Sequence, residues 1–186
     1  MRGFRLEPPS WLEKELRRGR ACPDDRDKAA FVVGLSELNV LRGTGGPFGA
    51  AVFEEPGGRL ISAGVNAVIL NGCSLAHAEI MALGLAQKKT GRPRLNSRPG
   101  RSYVLASSSQ PCAMCWGAML WAGVDRVLFS ALKSDVERLT GFDEGALPKR
   151  WRSELGLRGI QVRSGLLRSE ACRVLRLYKE KDGRIY

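Results

Sequence analysis

The sequence predicts an α/β fold in which a mixed β-sheet is packed by helices. Two patterns carry that expectation: an early hairpin signal, and helical and strand-like segments that alternate after it. The length of 186 residues suits one domain with a single sizeable core. Residues 1–22 mix Pro, Gly and charge and read as an N-terminal arm, leaving 23–186 as the domain. Residues 24–42 place Ala29, Phe31, Val32, Leu35, Leu38 and Leu41 at roughly helical spacing, opened by acidic residues that suit a helix start. Gly43-Thr-Gly-Gly-Pro47 ends that pattern. Segments 50–54 and 60–68 are rich in strand formers and joined by Pro56-Gly-Gly58, a hairpin reading. Ser74 is positioned to cap a helix running to about residue 89, with Ile80, Leu83 and Leu85 as its apolar stripe. A strand at 103–107 follows, then a helix from Pro111 to residue 122, with proline at its first position. A strand at 127–130, a helix at 132–139, a strand near 160–162 and an amphipathic helix at about 169–181 complete the pattern.

Composition narrows the classes. Hydrophobic residues make up 44% and charged residues 26%, ordinary for a soluble globular protein, and no apolar run is long enough to cross a bilayer. The first residues lack the apolar stretch and small-residue cleavage site of a secretory signal, so a cytoplasmic protein with reduced thiols is expected. The five cysteines, an odd number, argue against a disulfide framework. His77 is the only histidine, so any chemistry that needs imidazole must use it. The formal charge of +11 suits a nucleic-acid partner or simple solubility. Its densest run, 88–101, reads as a solvated loop, since it holds no aromatic on which a base could stack.

Two short motifs carry the chemistry: His77-Ala-Glu79 and Pro111-Cys-Ala-Met-Cys115. Cysteines three apart in a helix share a face and can reach one ion, and a helix N-terminus favours their thiolate form. His77, Cys112 and Cys115 together leave the fourth tetrahedral position of a zinc ion for water, the catalytic arrangement. Glu79 is then the base that takes the water proton, passes it to a ring nitrogen and helps protonate leaving ammonia. Taken singly, a first-turn histidine beside an apolar stripe reads as a packed residue, and a cysteine pair divides about evenly between burial and metal binding, redox chemistry lacking the thioredoxin-like pattern it needs. The two motifs together, each opening a helix, point to a site and match the zinc deaminase pattern.

With these motifs in place, the chain resembles the cytidine deaminase-like superfamily, and within it the bacterial guanine deaminase branch, whose members include enzymes that accept amino-triazines. The resemblance spans about residues 45–186. It rests on Gly45-Gly-Pro-Phe-Gly-Ala50, Ala76-His-Ala-Glu79, Pro111-Cys-Ala-Met-Cys-Trp-Gly-Ala118 and Gly141-Phe-Asp-Glu-Gly145. It implies a three-layer α/β/α fold with a five-stranded mixed sheet, one Zn2+ per subunit and a homodimer. By the same resemblance, Asn66 bonds the base, Phe48 and Trp116 line the pocket, and Glu144 is a second acid near the substrate, with Asp143 the competing assignment. A C-terminal segment exchanged between subunits would bring Tyr186 over the partner's site. Gln110 departs from the family, which often has Glu there, and the 88–101 run is longer and more basic.

Three functions follow in order. The first is hydrolysis of guanine to xanthine. The second is deamination of tRNA adenosine, which would use the positive charge, or of another small aminated heterocycle such as an amino-triazine. The third is a non-catalytic zinc module, closed by Cys73 as a fourth ligand.

Overall fold

The structure, a computed structural model, describes residues 5–17, 21–97 and 99–186. Residues 1–4 and 18–20 of the expected arm, and Arg98 of the basic run, lie outside the described residues. The elements in chain order are α1 (Ser10–Arg17), α2 (Asp25–Leu41), β1 (Gly49–Glu55), β2 (Arg59–Val65), α3 (Val68–Asn71), α4 (Ala78–Thr90), β3 (Ser102–Ser109), α5 (Ala113–Ala122), β4 (Arg126–Ala131), α6 (Lys133–Thr140), α7 (Trp151–Leu157), β5 (Gln161–Ser164) and α8 (Arg168–Glu180). They build the three-layer α/β/α arrangement around one mixed sheet, ordered β2-β1-β3-β4-β5. β1 pairs antiparallel with β2 and with β3, while β4 runs parallel to β3 and β5 parallel to β4.

Strand alternation divides the core between the faces. Ala50, Val52, Leu105, Val127 and Phe129 meet Ala78, Ala82 and Ala86 of α4, Met119 of α5 and Leu155 of α7. Their sequence neighbours Ala51, Phe53, Val104, Ala106 and Leu128 point the other way, onto Phe31, Val32 and Leu35 of α2 and Trp11 and Leu12 of α1. This is the period-2 rule of a strand buried on both faces. A third cluster, under α6 and α8, joins Val33 and Val40 to Ala131, Phe142, Val174 and Tyr178. The sheet carries small residues where helices approach closest. A Cβ on Gly64 would lie 2.4 Å from the Ala78 carbonyl oxygen, and one on Gly49 would lie 2.5 Å from that of Val32. Both glycines sit at the end of the sheet that faces the catalytic motifs.

The structure departs from the sequence reading at several starts and stops. β2 ends at Val65 rather than at residue 68, because the chain is taken out of the sheet by bonds to Asn66 and Ala67. Ser74 caps nothing: the Ala67 N–H bonds the Ala76 carbonyl, and α4 begins only after His77. Pro111 lies outside α5, whose N-cap is Cys112. α1 and α7 fall in stretches the sequence left without an assigned element, α3 begins at Val68, the last residue of the expected strand, and α1 buries Trp11 and Leu12 in the core. The basic run is tied down where it is described. Leu95 is buried, Lys89 Nζ donates to the Ile61 carbonyl at 3.0 Å, and Arg101 pairs with buried Glu54 at 3.3 Å. Among the described residues, no helix is long and apolar enough to cross a membrane.

Candidate metal centre and catalytic cleft

Two helices begin side by side beneath the ends of β1 and β3, and their first residues form the site. His77 is the N-cap of α4 and Cys112 the N-cap of α5, both with extended backbone (ψ 153 and 175) instead of the helical backbone expected for them. Cys115 lies one turn into α5 and is fully buried. His77 Nδ1 stands 3.5 Å from Cys112 Sγ and 3.7 Å from Cys115 Sγ. Among the described residues, these three are the group of His, Cys, Asp and Glu whose ligand atoms all lie within 4.8 Å of one another. The spacing fits zinc: with Zn–S near 2.3 Å and Zn–N near 2.0 Å, a tetrahedral edge from nitrogen to sulfur is about 3.5 Å. Cys73 is not in the group, so the closed four-ligand site expected of a non-catalytic module is not assembled.

The charges are strongly coupled. Cys112 is drawn down to about 4 by the hydrogen bond from the Cys115 thiol and by His77, despite its burial. Cys115 is pushed well up by the same hydrogen bond, by burial and by the Glu79 charge. Burial lowers His77, but the Cys112 hydrogen bond and the Glu79 charge outweigh it and leave the imidazole raised. A donor set with one thiolate ready and an imidazole held by anions is one that a divalent cation stabilises.

Glu79 follows on the first turn of α4, buried beside the sulfurs. The Cys115 thiol meets its Oε2 at 3.4 Å, and Ser107 Oγ donates to its Oε1 at 3.0 Å. Burial first, and the Cys112 charge second, raise its pKa above the usual carboxylate range. Glu144 arrives from the loop after α6 and is also buried. Desolvation, then the charges of Cys112 and Glu79, push it up to about 8. Two carboxyl groups with raised affinity for protons thus face one cleft, the condition for proton transfer near neutral pH.

The cleft is lined by Phe48, Asn66, His77, Glu79, Asp143 and Glu144, with Ala78, Ser109, Cys112, Phe142 and Tyr186 completing it. Its free volume is about 50 Å³. Asn66 is fixed by its surroundings. Its carbonyl accepts from Asn39 Nδ2 at 2.9 Å, and its Oδ1 accepts from the N–H groups of Gly46 and Val68 at 3.4 and 3.3 Å. With Oδ1 committed to backbone donors, Nδ2 is left to donate into the cleft. Phe142 is the aromatic hub, with ring centroids 5.4 Å from Phe48 and 4.9 Å from Tyr186. Tyr186 therefore sits in the cleft of its own chain, its ring against that of Phe142.

Of the residues expected at the site, Trp116 is placed elsewhere. It packs in the cluster under α4 and α5 and does not line the cleft. Asp143 lines the cleft but is exposed and accepts the Gly145 N–H at 2.8 Å, which makes it a loop-shaping residue beside buried Glu144. Phe142, Ser107 and Asn39 were not singled out in the sequence. The phenylalanine lay inside a quoted motif, whereas the other two act through contacts 28 and 27 residues distant, which no local pattern announces.

Comparison with known proteins agrees with this geometry. Residues 29–131 match the family described as cytidine and deoxycytidylate deaminase zinc-binding region. The guanine deaminase of Bacillus subtilis (strain 168) is 36% identical over 117 residues, which is 63% of this chain and 70% of the relative. Among solved structures, NE0047 in complex with 2,6-diaminopurine superposes with a TM-score of 0.92 at 41% identity, covering 98% of this chain and 95% of that one. A structure described as guanine deaminase from Nitrosomonas europaea gives a TM-score of 0.91 at 40% identity, with 96% and 97% covered.

Proposed function

Since the chain belongs to the cytidine deaminase superfamily, in its guanine deaminase branch, we infer that it is a zinc-dependent enzyme that hydrolyses guanine to xanthine and ammonia. One observation carries the reading: Glu79 and Glu144 converge on the cleft where His77, Cys112 and Cys115 form a group able to hold a metal. In this proposal those three residues hold one Zn2+. When bound, the ion supplies Lewis acidity that makes water a nucleophile near neutral pH.

The rest is done by the chain. Asn66 Nδ2 donates to a purine acceptor and sets the amino-bearing carbon toward the metal group. Phe48 and Phe142 cover the ring system with apolar surface, and Tyr186 closes the cleft and excludes water. Glu79, held by Ser107, takes the proton of the attacking water and delivers it to the adjacent ring nitrogen. Glu144, buried with its affinity for protons raised first by desolvation, donates toward the departing amino group. Water adds across the ring C–N bond, one of its protons going through Glu79 to the ring nitrogen; the bond to the amino nitrogen then breaks as Glu144 gives it a proton, ammonia leaves, and the remaining hydroxyl proton returns to Glu144 as the carbonyl forms.

Ammonia release from guanine by the zinc-loaded protein tests this directly. We expect turnover by the wild type and a loss of about 10²–10⁴-fold in Glu79→Gln, the range for a lost general acid–base, with zinc content unchanged. No ammonia from guanine, with inosine formed in a tRNA substrate, would overturn it in favour of the second reading, which the +11 charge supports. Turnover on guanine should also vary little with salt, unlike recognition of a polyanion.

The same reading includes a homodimer. Its support is a stripe on α5, Met114, Gly117, Ala118 and Trp121, all part- or fully exposed at the spacing of a single helical face. Trp121 is 81% exposed. An apolar helical face left on the surface is what a second copy covers.

A further inference from the structure

Gln110 precedes the cysteine motif, and the contacts it makes show what it does. Its backbone N–H bonds the Ala131 carbonyl at 2.8 Å, tying the end of β3 to the end of β4. Its side-chain Oε1 accepts the Lys133 N–H at 3.2 Å, satisfying one of the open donors at the start of α6. A glutamine oxygen accepts there as a glutamate oxygen would, so the cap survives without the charge. The cap fixes where Lys133 leaves the helix. From there Lys133 Nζ reaches across to donate to the Gly145 carbonyl, and it pairs with Glu137 at 3.0 Å.

That bond grips the loop carrying Glu144. The loop is held at three further points. Phe142 N–H bonds Thr140 Oγ1 at 3.2 Å, Gly145 N–H bonds Asp143 Oδ1 at 2.8 Å, and the Glu144 carbonyl accepts the Ala113 N–H at 3.1 Å. Gly145 itself has φ +68, and a Cβ there would stand 3.1 Å from the Ala113 Cβ. The loop is therefore pressed against the first residue of α5 on one side and drawn by Lys133 on the other. Among the described residues, Lys133 is the only side chain from another element with a hydrogen bond to residues 142–145 that is both charged and fixed at its root.

We propose that Lys133, aimed by Gln110, is the positioning residue that holds Glu144 in reacting geometry. The proposal rests on the reading above in which Glu144 acts on the substrate amino group. Lys133 does not line the cleft, so its effect is exerted through the loop.

The test compares wild type with Lys133→Met, Lys133→Arg, Gln110→Leu and Gln110→Glu. Glu137→Gln serves as control, because it removes the surface partner of Lys133 and leaves the loop contact. Two quantities are read: kcat and KM on guanine, and amide hydrogen exchange of residues 141–146 without substrate. We expect Lys133→Met and Gln110→Leu to lower kcat by about tenfold or more, the scale of a small misplacement at a reacting centre, with KM changed less than about twofold. Exchange in the loop rises by about tenfold in both variants as the local tie is lost. Lys133→Arg, Gln110→Glu and Glu137→Gln stay near wild type in both readouts. Unchanged kcat in Lys133→Met, a loss confined to KM, equal losses in Lys133→Arg, or a fall in kcat with unaltered loop exchange would each overturn the proposal. If Lys133→Met does not fold, Lys133→Gln, a shorter uncharged donor, is measured in its place. The exchange arm uses no substrate. A wild type inactive on guanine therefore overturns the guanine reading, while exchange still decides whether Lys133 holds the loop.

Discussion

Ser107 stands under Glu79 at the end of β3, its hydroxyl hydrogen given to Oε1 and its oxygen 3.5 Å from the Ser109 N–H. A hydroxyl with both roles assigned has one orientation, and it fixes the carboxylate rotamer with it. Hydrogen bonds to charged groups are worth about 1.5–3 kcal/mol. Ser107→Ala should therefore lower kcat on guanine by roughly tenfold to a hundredfold, at unchanged zinc content, because the shuttle loses aim and the metal ligands do not. A loss of zinc in that variant would place Ser107 in the metal site instead. Asn39 plays the matching part for Asn66 through paired bonds to the Gly46 and Asn66 carbonyls at 2.8 and 2.9 Å. Both supports come from strand or helix positions remote in sequence. The ligands themselves were legible because their chemistry is encoded at short range, His-x-Glu and Cys-x-x-Cys, whereas their supports are encoded by register.

At the scale of elements, most of the sheet and four of the long helices were readable from periodicity, and the failures share a cause. The sequence read helix starts from favoured cap residues, Ser74 and Pro111, yet the structure starts α4 and α5 at His77 and Cys112. A polar cap gives way where the cap position must turn a metal ligand inward. α4 also depends on a contact that no helical pattern contains. Gly64 lets the Ala78 carbonyl and the Ala82 N–H approach β2, where a Cβ would stand 2.4 and 2.7 Å from them. Gly64→Ala must push α4 off the sheet next to His77, at a cost of about 1–3 kcal/mol for overpacking. Both melting temperature and bound zinc should fall together; a variant with lowered stability and full zinc would separate the two. α6 offers a pH test. Asp135 accepts the Leu132 N–H at 2.9 Å and two bonds from Arg168, whose hydrogen bond leads the causes that hold its carboxyl down at about 2 from an ordinary 3.8. A depressed carboxylate adds stability that is present above pH 3.8 and is lost as pH falls toward 2. Asp135→Asn should cost about 1 kcal/mol at neutral pH, allowing for the half-exposed arginine. Unfolding curves of variant and wild type should converge as pH falls through that window.

For the whole molecule, the excess of positive charge and the enclosed cleft pull toward different partners, and the cleft decides for a small base. Much of the basic surface is spent on structure: Arg126 and Arg163 both bind Asp25 at 2.7 Å, and Arg59 and Arg101 both bind Glu54. Trp121 makes the quaternary expectation testable. Trp121→Glu should shift the protein from dimer to monomer in light scattering at micromolar concentration, since a buried charge without a partner costs several kcal/mol at an interface. A dimer that survives this change would place the contact on another face. His77 Nδ1, directed at two sulfurs from the cap of α4, has a consequence at this scale as well. Because the chain has a single histidine, imidazole nitrogen resonances in a labelled sample come from one ring alone. Their positions report tautomer and coordination of that ring without assignment work. A titration with zinc read in those lines counts filled subunits one by one, and unequal lines in a dimer would reveal that its two halves do not load alike.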